Sequence, residues 1–148
     1  MKSIEVLKAE IKAEFEKLEK LVEEASGLYN KKASNINIRA GGSILHDFYS
    51  GAKKIFHAIA SVIDERIPEG MSWHIELLNQ MTYQIEGIRS PVISKDTAKK
   101  LEEYLRFRHL FRKRYGFELE WTIIKRLLKG MPEVYKALKE DITNFFNY

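Results

Sequence analysis

The sequence predicts an all-α fold, namely an antiparallel up-and-down four-helix bundle followed by a short C-terminal pair of helices. Apolar residues recur at steps of three and four along most of the chain, which is the spacing of one helix face. Proline and glycine fall between these periodic segments, where they stop helices. The best strand candidate, residues 36–38, is short and solitary. Because 148 residues is the length of one domain, we expect residues 1–148 to form a single domain.

The first helix is expected to follow Ser3, which is a suitable N-cap, and to continue to about Ala25. Residues 30–42 lose the apolar spacing and are rich in Asn, Ser and Gly, so a loop is expected there. The narrow apolar stripe of the first helix favours a bundle contact. Its members are Ile4, Leu7, Ile11, Phe15, Leu18, Val22 and Ala25.

Two helices are expected in the middle of the chain. The second spans about residues 43–67 and is stopped by Pro68. Ser72 can cap a third helix, whose apolar face is lost near Gly87. The residue before Pro91 must be extended, because a residue that precedes proline avoids helical geometry.

The C-terminal third contains the fourth helix and the predicted pair. The fourth helix is expected from Lys95 to roughly Tyr115. A short fifth helix covers residues 121–129, and Pro132 suits the first position of a last helix over residues 132–146.

The composition excludes several classes of site. The chain contains no cysteine, so disulfides, thiolate metal sites and cysteine nucleophiles are excluded. The four histidines form no i, i+4 pair, and no carboxylate joins them at ligand spacing, so we expect neither a metal nor a cofactor. No apolar run approaches the roughly 20 residues of a membrane span, and no signal-peptide block is present. A cytoplasmic protein without a membrane span is therefore expected.

The positive charge is concentrated on the fourth helix. The chain has 25 basic and 21 acidic residues, a formal net charge of +4. Five of the basic residues lie between positions 106 and 114, a segment without any acid, which leaves 20 basic residues against 21 acids elsewhere. The basic segment therefore predicts an anionic partner surface. Its cations are Arg106, Arg108, Arg112, Lys113 and Arg114.

Two of these arginines share the apolar face of their helix. At 100° per residue, Arg108 and Arg112 fall in one arc with Leu101, Tyr104, Leu105, Phe111 and Tyr115, and His109 lies at its edge, about 80° from Leu101. Burying a guanidinium without a partner costs several kcal/mol. One interpretation is an anion-binding cleft, in which arginine binds phosphate and neighbouring aromatic rings stack on bases. The other is that Arg108 and Arg112 pair with buried acids such as Asp47.

Other candidates give weaker signals. His46 and Asp47 are neighbours on the second helix, about 100° apart, so we expect no hydrogen-bonded dyad between them. For His46, a ligand contact together with Tyr49 and Lys53 is one interpretation, and a capping or interface role is the other. Trp73 at the start of the third helix fits the core or a subunit contact.

Several segments together resemble a known family. They are EYLRFRHLFR at 103–112 with YGFEL at 115–119, LHDFY at 45–49, Trp73-His74 with Leu77-Leu78 and Gln80-Met81, and PVIS at 91–94. This pattern, which extends over nearly the whole chain, resembles the HepT-like ribonuclease toxins of the HEPN superfamily. The resemblance implies a homodimer in which the basic helices of two subunits form one RNA-binding cleft. It also implies a metal-independent ribonuclease, silenced by a minimal nucleotidyltransferase (MntA-like) antitoxin of a type VII toxin–antitoxin pair.

The resemblance implies roles for individual residues. The antitoxin of related systems transfers AMP to the tyrosine of an Arg-x4-His-x-Tyr motif, whose arginine falls on Arg108 and whose tyrosine falls on Tyr115. The histidine position of the motif is Lys113 here, and lysine is protonated at neutral pH in its reference state, which makes it a poor general base. His109 is therefore the expected proton carrier.

Three hypotheses about function follow. In the first, the protein is a toxin-like ribonuclease in which Arg108 and Arg112 bind the scissile phosphate and His109 acts as acid or base. Tyr115 then positions RNA and accepts AMP. In the second, it is a non-catalytic subunit that binds a nucleotide or the nucleotidyltransferase, and in the third it is a structural dimer whose arginines only pair with acids. The further substrate-binding candidates are Tyr104, Arg106, Lys113 and Arg114, and the supporting ones are His46 and Asp47.

Overall fold

A computed structural model describes residues 3–115 and 118–147 of the chain. The helices are α1 (Ile4–Leu28), α2 (Asn35–Ile59), α3 (Trp73–Gln80), α4 (Lys95–Lys113) and α5 (Trp121–Phe146), and a π-helical turn (Ala60–Asp64) follows α2. Within the described ranges the only β-type pairing is an isolated bridge between Ile85 and Arg89. The all-α bundle predicted from the apolar spacing is confirmed.

Helix α2 is the central element of the bundle. It packs against α1, α3, α4 and α5, while α1 also contacts α5, and α4 contacts α3 and α5. Its fully buried side chains include Leu45, Phe48, Phe56 and Ile59. Because α2 packs directly on the basic helix α4, residues of α2 can contact the charged side chains of α4.

The prediction of a loop over residues 30–42 is wrong beyond residue 34. Helix α2 begins at Asn35, and Ser34 caps it by accepting a hydrogen bond from the Asn37 backbone N–H at 3.1 Å. Gly41 and Gly42 lie inside the helix because neighbouring helices approach their backbone closely. A Cβ at Gly41 would lie 2.5 Å from the Ile124 side chain, and one at Gly42 would lie 2.7 Å from the Phe111 ring.

The predicted end of the second helix is also wrong. The α-helix stops at Ile59 and passes into the π-helical turn, after which Glu65 adopts a left-handed backbone conformation with φ 55°. Asp64 at the end of this turn forms an ion pair with Arg89, and both side chains are 2% exposed. The buried pair joins the end of α2 to the segment that follows α3. That segment is not helical, so α3 ends at Gln80 and not near Gly87.

The predicted C-terminal helical pair is a single helix. Helix α5 continues through Gly130 and Pro132 to Phe146, because its apolar stripe does not break at these residues. Leu128, Met131 and Val134, on both sides of the proline, are all buried. Burial of a continuous stripe stabilises the helix by more than the missing proline N–H destabilises it.

Helix α4 agrees closely with its prediction. It spans Lys95–Lys113, and Ser94 caps it by accepting from the Thr97 N–H at 3.0 Å. Asp141 on α5 accepts hydrogen bonds from the Ser94 N–H at 3.0 Å and the Thr97 hydroxyl at 2.7 Å. The start of the basic helix is thereby held against α5. Among the described residues, no helix is both long enough and apolar enough to cross a membrane.

Candidate functional site

Arg108 is a buried cation at the interface between α4 and α2. Its residue is 7% exposed, and its Nε donates a hydrogen bond to the Ser50 hydroxyl of α2 at 3.0 Å. None of the ion pairs formed by the described residues includes Arg108. Asp47, which we considered as its partner, bonds instead to His46 and has a side chain 58% exposed. The pairing of Arg108 with Asp47 is therefore not present.

The surroundings of Arg108 disfavour its positive charge. Burial lowers the pKa of its guanidinium, and the charge of Arg112 lowers it further, while Tyr49 acts weakly in the opposite direction. An arginine stays protonated in proteins despite such shifts. The structure thus contains a buried positive charge that an anion can stabilise.

Arg108 faces a cavity of about 380 Å³ between α4 and the start of α3. Four of its lining residues, Arg106, Arg108, His109 and Arg112, belong to the segment that sequence analysis selected. A cavity of this size, with positive charge on one wall, can hold a phosphate group together with part of a sugar or base. The full lining consists of Met71, Ser72, His74, Ile75, Glu102, Leu105, Arg106, Arg108, His109 and Arg112.

His74 is a site residue that sequence reasoning missed. It lies on the α3 side of the cavity, and its ring stacks on that of Trp73 with centroids 3.7 Å apart. Its Nδ1 is buried and has no hydrogen-bond partner among the described residues. Burial lowers the pKa of His74, and the charges of Arg108, Lys53, Arg112 and His109 lower it further. No periodicity links residue 74 to residue 108, so only packing of α3 on α4 brings them together.

Lys53 extends the positive region onto α2. Its Nζ lies 5.6 Å from the centroid of the Trp73 ring, within the range of a cation–π contact. Burial lowers the pKa of Lys53, and the charges of Arg108, Arg112 and Lys54 lower it further. Cations from two helices, α2 and α4, therefore surround the Trp73–His74 ring pair.

The predicted arc of α4 is only partly buried. Arg108, Leu101 and Leu105 are buried as expected, whereas Arg112 is exposed on the wall of the cavity. Tyr115 lies beyond the end of the helix and is 72% exposed. The expectation of a continuous inner face fails after Phe111, which still packs against the core, whereas Arg112 and Tyr115 are exposed.

The remaining cations of α4 are solvent-facing. Arg106, which also borders the cavity, pairs with Glu102 one turn earlier at 2.9 Å. Lys113 is the last residue of the helix and Arg114 is its C-cap, and both are exposed. They lie on the surface that adjoins Arg112.

Besides Lys113, Arg114 and Tyr115, three further candidates do not line the cavity. Tyr104 is 2% exposed, and its hydroxyl donates to the Leu127 carbonyl oxygen of α5 at 2.6 Å, so its role here is in packing. His46 and Asp47 do form the hydrogen bond that we did not expect, with 3.3 Å between Nδ1 and Oδ1. The side chains reach this distance although the Cβ atoms of adjacent helical residues point about 100° apart. The His46 ring packs on Phe111, at a centroid distance of 5.4 Å.

The site is therefore built from cations and imidazoles. In residues 3–115 and 118–147, His, Asp and Glu side chains form no group of three that could hold a metal ion. The chemistry available from the residues at the cavity is anion binding by Arg108 and Arg112 and proton transfer by His74 and His109.

Comparison with known proteins identifies the family. A family model described as HepT-like protein matches residues 40–148, which include the whole cavity lining. No curated protein and no solved structure matches the chain. The HepT-like family consists of HEPN-type, toxin-like proteins associated with toxin–antitoxin systems. Since the matched region is well over half of the 148 residues, the chain belongs to the HepT-like family.

Proposed function

We propose that the protein is a toxin-like, metal-independent endoribonuclease and that the Arg108 cavity binds the phosphate to be cleaved. The observation that carries this proposal is the buried guanidinium of Arg108, which faces the cavity and has no acidic partner among the described residues. A buried arginine that serves stability alone is expected to have such a partner. A phosphodiester supplies the missing negative charge, and its oxygens accept hydrogen bonds from the coplanar N–H groups of arginine.

The cations and the histidine of the basic segment each have a role in this proposal. Arg108 binds and stabilises the scissile phosphate, and Arg112, on the exposed wall, adds the second positive charge. His109 transfers a proton during attack of the ribose 2′-hydroxyl on the adjacent phosphorus. Arg106, Lys113 and Arg114 attract the flanking phosphates of the RNA without determining its sequence.

A second part of the proposal concerns silencing by an antitoxin. We propose that a minimal nucleotidyltransferase transfers AMP to Tyr115. Its 72% exposure makes the side chain accessible to another protein, and its position after the last cations of α4 places a new phosphate beside them. A negative charge there competes with RNA for the same cations. We also propose a homodimer, in which two α4 helices contribute to one cleft.

Cleavage of labelled single-stranded RNA in the presence of EDTA tests the ribonuclease proposal. We expect the wild-type protein to cut, and Arg108→Ala to lose at least about 100-fold in rate, as on removal of one oxyanion donor. Arg39→Ala replaces an exposed arginine of α2 that does not line the cavity and should cut at the wild-type rate. Wild-type activity in Arg108→Ala would contradict the assignment.

The same experiment distinguishes the non-catalytic alternative. Lys113, a poor base in the motif's histidine position, is the observation that favours an accessory subunit. If RNA or a nucleotide binds, and binding depends on Arg108, but no cut is made at any pH, the protein is a binding subunit.

Modification of Tyr115 is tested by mass spectrometry. After incubation with ATP, Mg²⁺ and a minimal nucleotidyltransferase, wild-type protein should gain the mass of an adenylyl group, and Tyr115→Phe should not. Tyr83, which is 54% exposed and lies on another part of the surface, provides the matched Tyr83→Phe control. Modification of Tyr115→Phe would show that another residue is the acceptor.

A further inference from the structure

We propose that His74 is a second proton-transfer residue of the site, which accepts the proton of the attacking 2′-hydroxyl while His109 donates one to the leaving oxygen. This inference rests on the proposed ribonuclease function. It assigns to α3 a catalytic group that lies outside the basic segment of α4.

The position of His74 is the first support. It lines the same cavity of about 380 Å³ as Arg108, His109 and Arg112, but it does so from α3, on the other side. Two proton-transfer groups on different walls can reach opposite sides of one phosphorus, whereas neighbours on one helix turn cannot. The stack on Trp73, with centroids 3.7 Å apart, fixes the plane of the imidazole.

The buried nitrogen of His74, which has no hydrogen-bond partner among the described residues, is the second support. A histidine kept for stability alone is expected to have its buried nitrogen paired. The Nδ1 of His74 is buried and unpaired among the described residues, so hydrogen bonding within the fold does not explain an imidazole here. Nε2 is the nitrogen that remains to exchange a proton with a ligand in the cavity.

The charges that face His74 come from two neighbouring helices. Lys53 on α2, and Arg108, His109 and Arg112 on α4, all disfavour protonation of the imidazole. Arg106 and Glu102, which also line the cavity, pair with each other at 2.9 Å and offset one another's charge. The ring is therefore neutral near pH 7, the form that a general base requires, and an anion bound in the cavity makes it more basic.

The reaction balances as a transesterification. The 2′-oxygen forms a bond to phosphorus, and its proton passes to Nε2 of His74. The bond from phosphorus to the 5′-oxygen breaks, and that oxygen takes a proton from protonated His109. The products are a 2′,3′-cyclic phosphate and a 5′-hydroxyl, and exchange of protons with water restores both histidines. Arg108 and Arg112 stabilise the additional charge on the phosphate oxygens.

Steady-state cleavage by His74→Gln tests the inference. We expect kcat to fall by about 10²–10⁴-fold, the usual effect of losing a general base, with KM for RNA little changed. On the acid side, wild-type kcat/KM should decrease as His74 becomes protonated, below about pH 6.5, the reference pKa of histidine, and this acid limb should be lost in His74→Gln. His57→Gln, which replaces an exposed histidine of α2 outside this cavity, is the matched control and should retain wild-type kinetics.

The outcomes separate the two proposals. If wild-type protein cuts RNA and His74→Gln cuts it equally well, the role of His74 is wrong and the ribonuclease function stands. If wild-type protein does not cut, both proposals fail. A third result is independent of turnover: in an NMR titration, addition of inorganic phosphate should raise the pKa of the His74 imidazole, and no such response is expected from a histidine outside the cavity. No response of His74 to phosphate would overturn its place in the anion site.

Discussion

Two arginines in the described part of the chain are buried, and their surroundings differ. Arg89 pairs with Asp64, whose Oδ2 lies 2.8 Å from Nη2, and it also donates to the Tyr83 carbonyl oxygen at 2.8 Å. Arg108 has one neutral hydrogen bond, to Ser50. The first arginine is satisfied within the fold, whereas the second has donors left for a ligand. A buried charge that is paired within the fold, such as Arg89, therefore does not indicate a binding site, whereas one that lacks an acidic partner among the described residues, such as Arg108, does.

Replacing each buried arginine by methionine should separate these roles. Arg89→Met leaves the carboxylate of Asp64 buried and unpaired, so the free energy of unfolding should fall by about 3–5 kcal/mol. Arg108→Met removes an unpaired charge and keeps an apolar stem, so the change should stay within about 1 kcal/mol. Urea denaturation of the two variants measures both values. A loss in Arg108→Met as large as that in Arg89→Met would indicate a structural role for Arg108.

The lowered pKa of His74 makes stability depend on pH. Since the pKa is lower in the folded than in the unfolded chain, the unfolded state binds more protons below about pH 6.5, and stability decreases as the pH falls through that value. We expect the decrease between pH 7.5 and 5.5, measured by urea denaturation, to be smaller in His74→Gln. His57→Gln is again the matched control, and an equal pH dependence of His74→Gln and wild type would contradict the perturbed environment of His74.

At the scale of elements, close approach between helices decides the geometry of α2. Gly41 and Gly42 permit contact with Ile124 of α5 and Phe111 of α4 at distances that any side chain would block. Phe111 also stacks near Phe107, with centroids 6.2 Å apart, and lies one residue before Arg112. The glycines therefore help to position the last turn of α4, which carries Arg112 and Lys113.

An alanine scan of helical glycines tests this close approach. Gly42→Ala should lower the free energy of unfolding by about 1–3 kcal/mol, because its Cβ would meet the Phe111 ring at 2.7 Å. Gly27→Ala in α1 meets nothing within 4 Å and should raise stability by about 0.5–1 kcal/mol through its better helix propensity. Thermal or urea denaturation reports both. Equal effects of the two substitutions would mean that α4 does not approach α2 as closely as described.

At the scale of the whole molecule, charge is distributed unevenly. The net charge of +4 is the sum of a nearly neutral body and the basic segment of α4. The structure adds Lys53 of α2 to that region, beside Trp73. Under the proposed function, we expect an RNA strand at the cavity to meet cations from two helices and to release counterions as it binds.

The salt dependence of RNA binding measures how many of these cations neutralise a phosphate. For single strands, the slope of log K against log salt is about −0.7 per phosphate neutralised, so Arg112→Gln should make the slope less steep by about 0.7. Arg39→Gln, far in sequence from the basic segment and outside the cavity lining, should leave it unchanged. Fluorescence anisotropy with a short labelled RNA at several salt concentrations gives the slopes. An unchanged slope in Arg112→Gln would remove this residue from the RNA-binding surface.

The sequence predicted those features that depend on neighbours along the chain. Apolar spacing determined the all-α class and the bounds of α4, and the run of cations in that helix located the basic surface before any packing was known. The predicted helix bounds were wrong at Gly41, Gly42 and Pro132, where residues that usually break helices lie inside them. Contacts with α4 and α5 at the glycines, and a continuous apolar stripe at the proline, decide the conformation there.

By itself, then, the sequence determined that the protein is helical and that α4 carries the excess positive charge, because helix period and charge are properties of adjacent residues. Only the tertiary structure decided that Arg108 is buried without an acid while Arg112 is exposed, since both lie on the same predicted arc. It also decided that His74 faces them and that Tyr104 does not. The physical reason is that burial and the pKa of a side chain depend on neighbours from other helices, which only folding brings into contact.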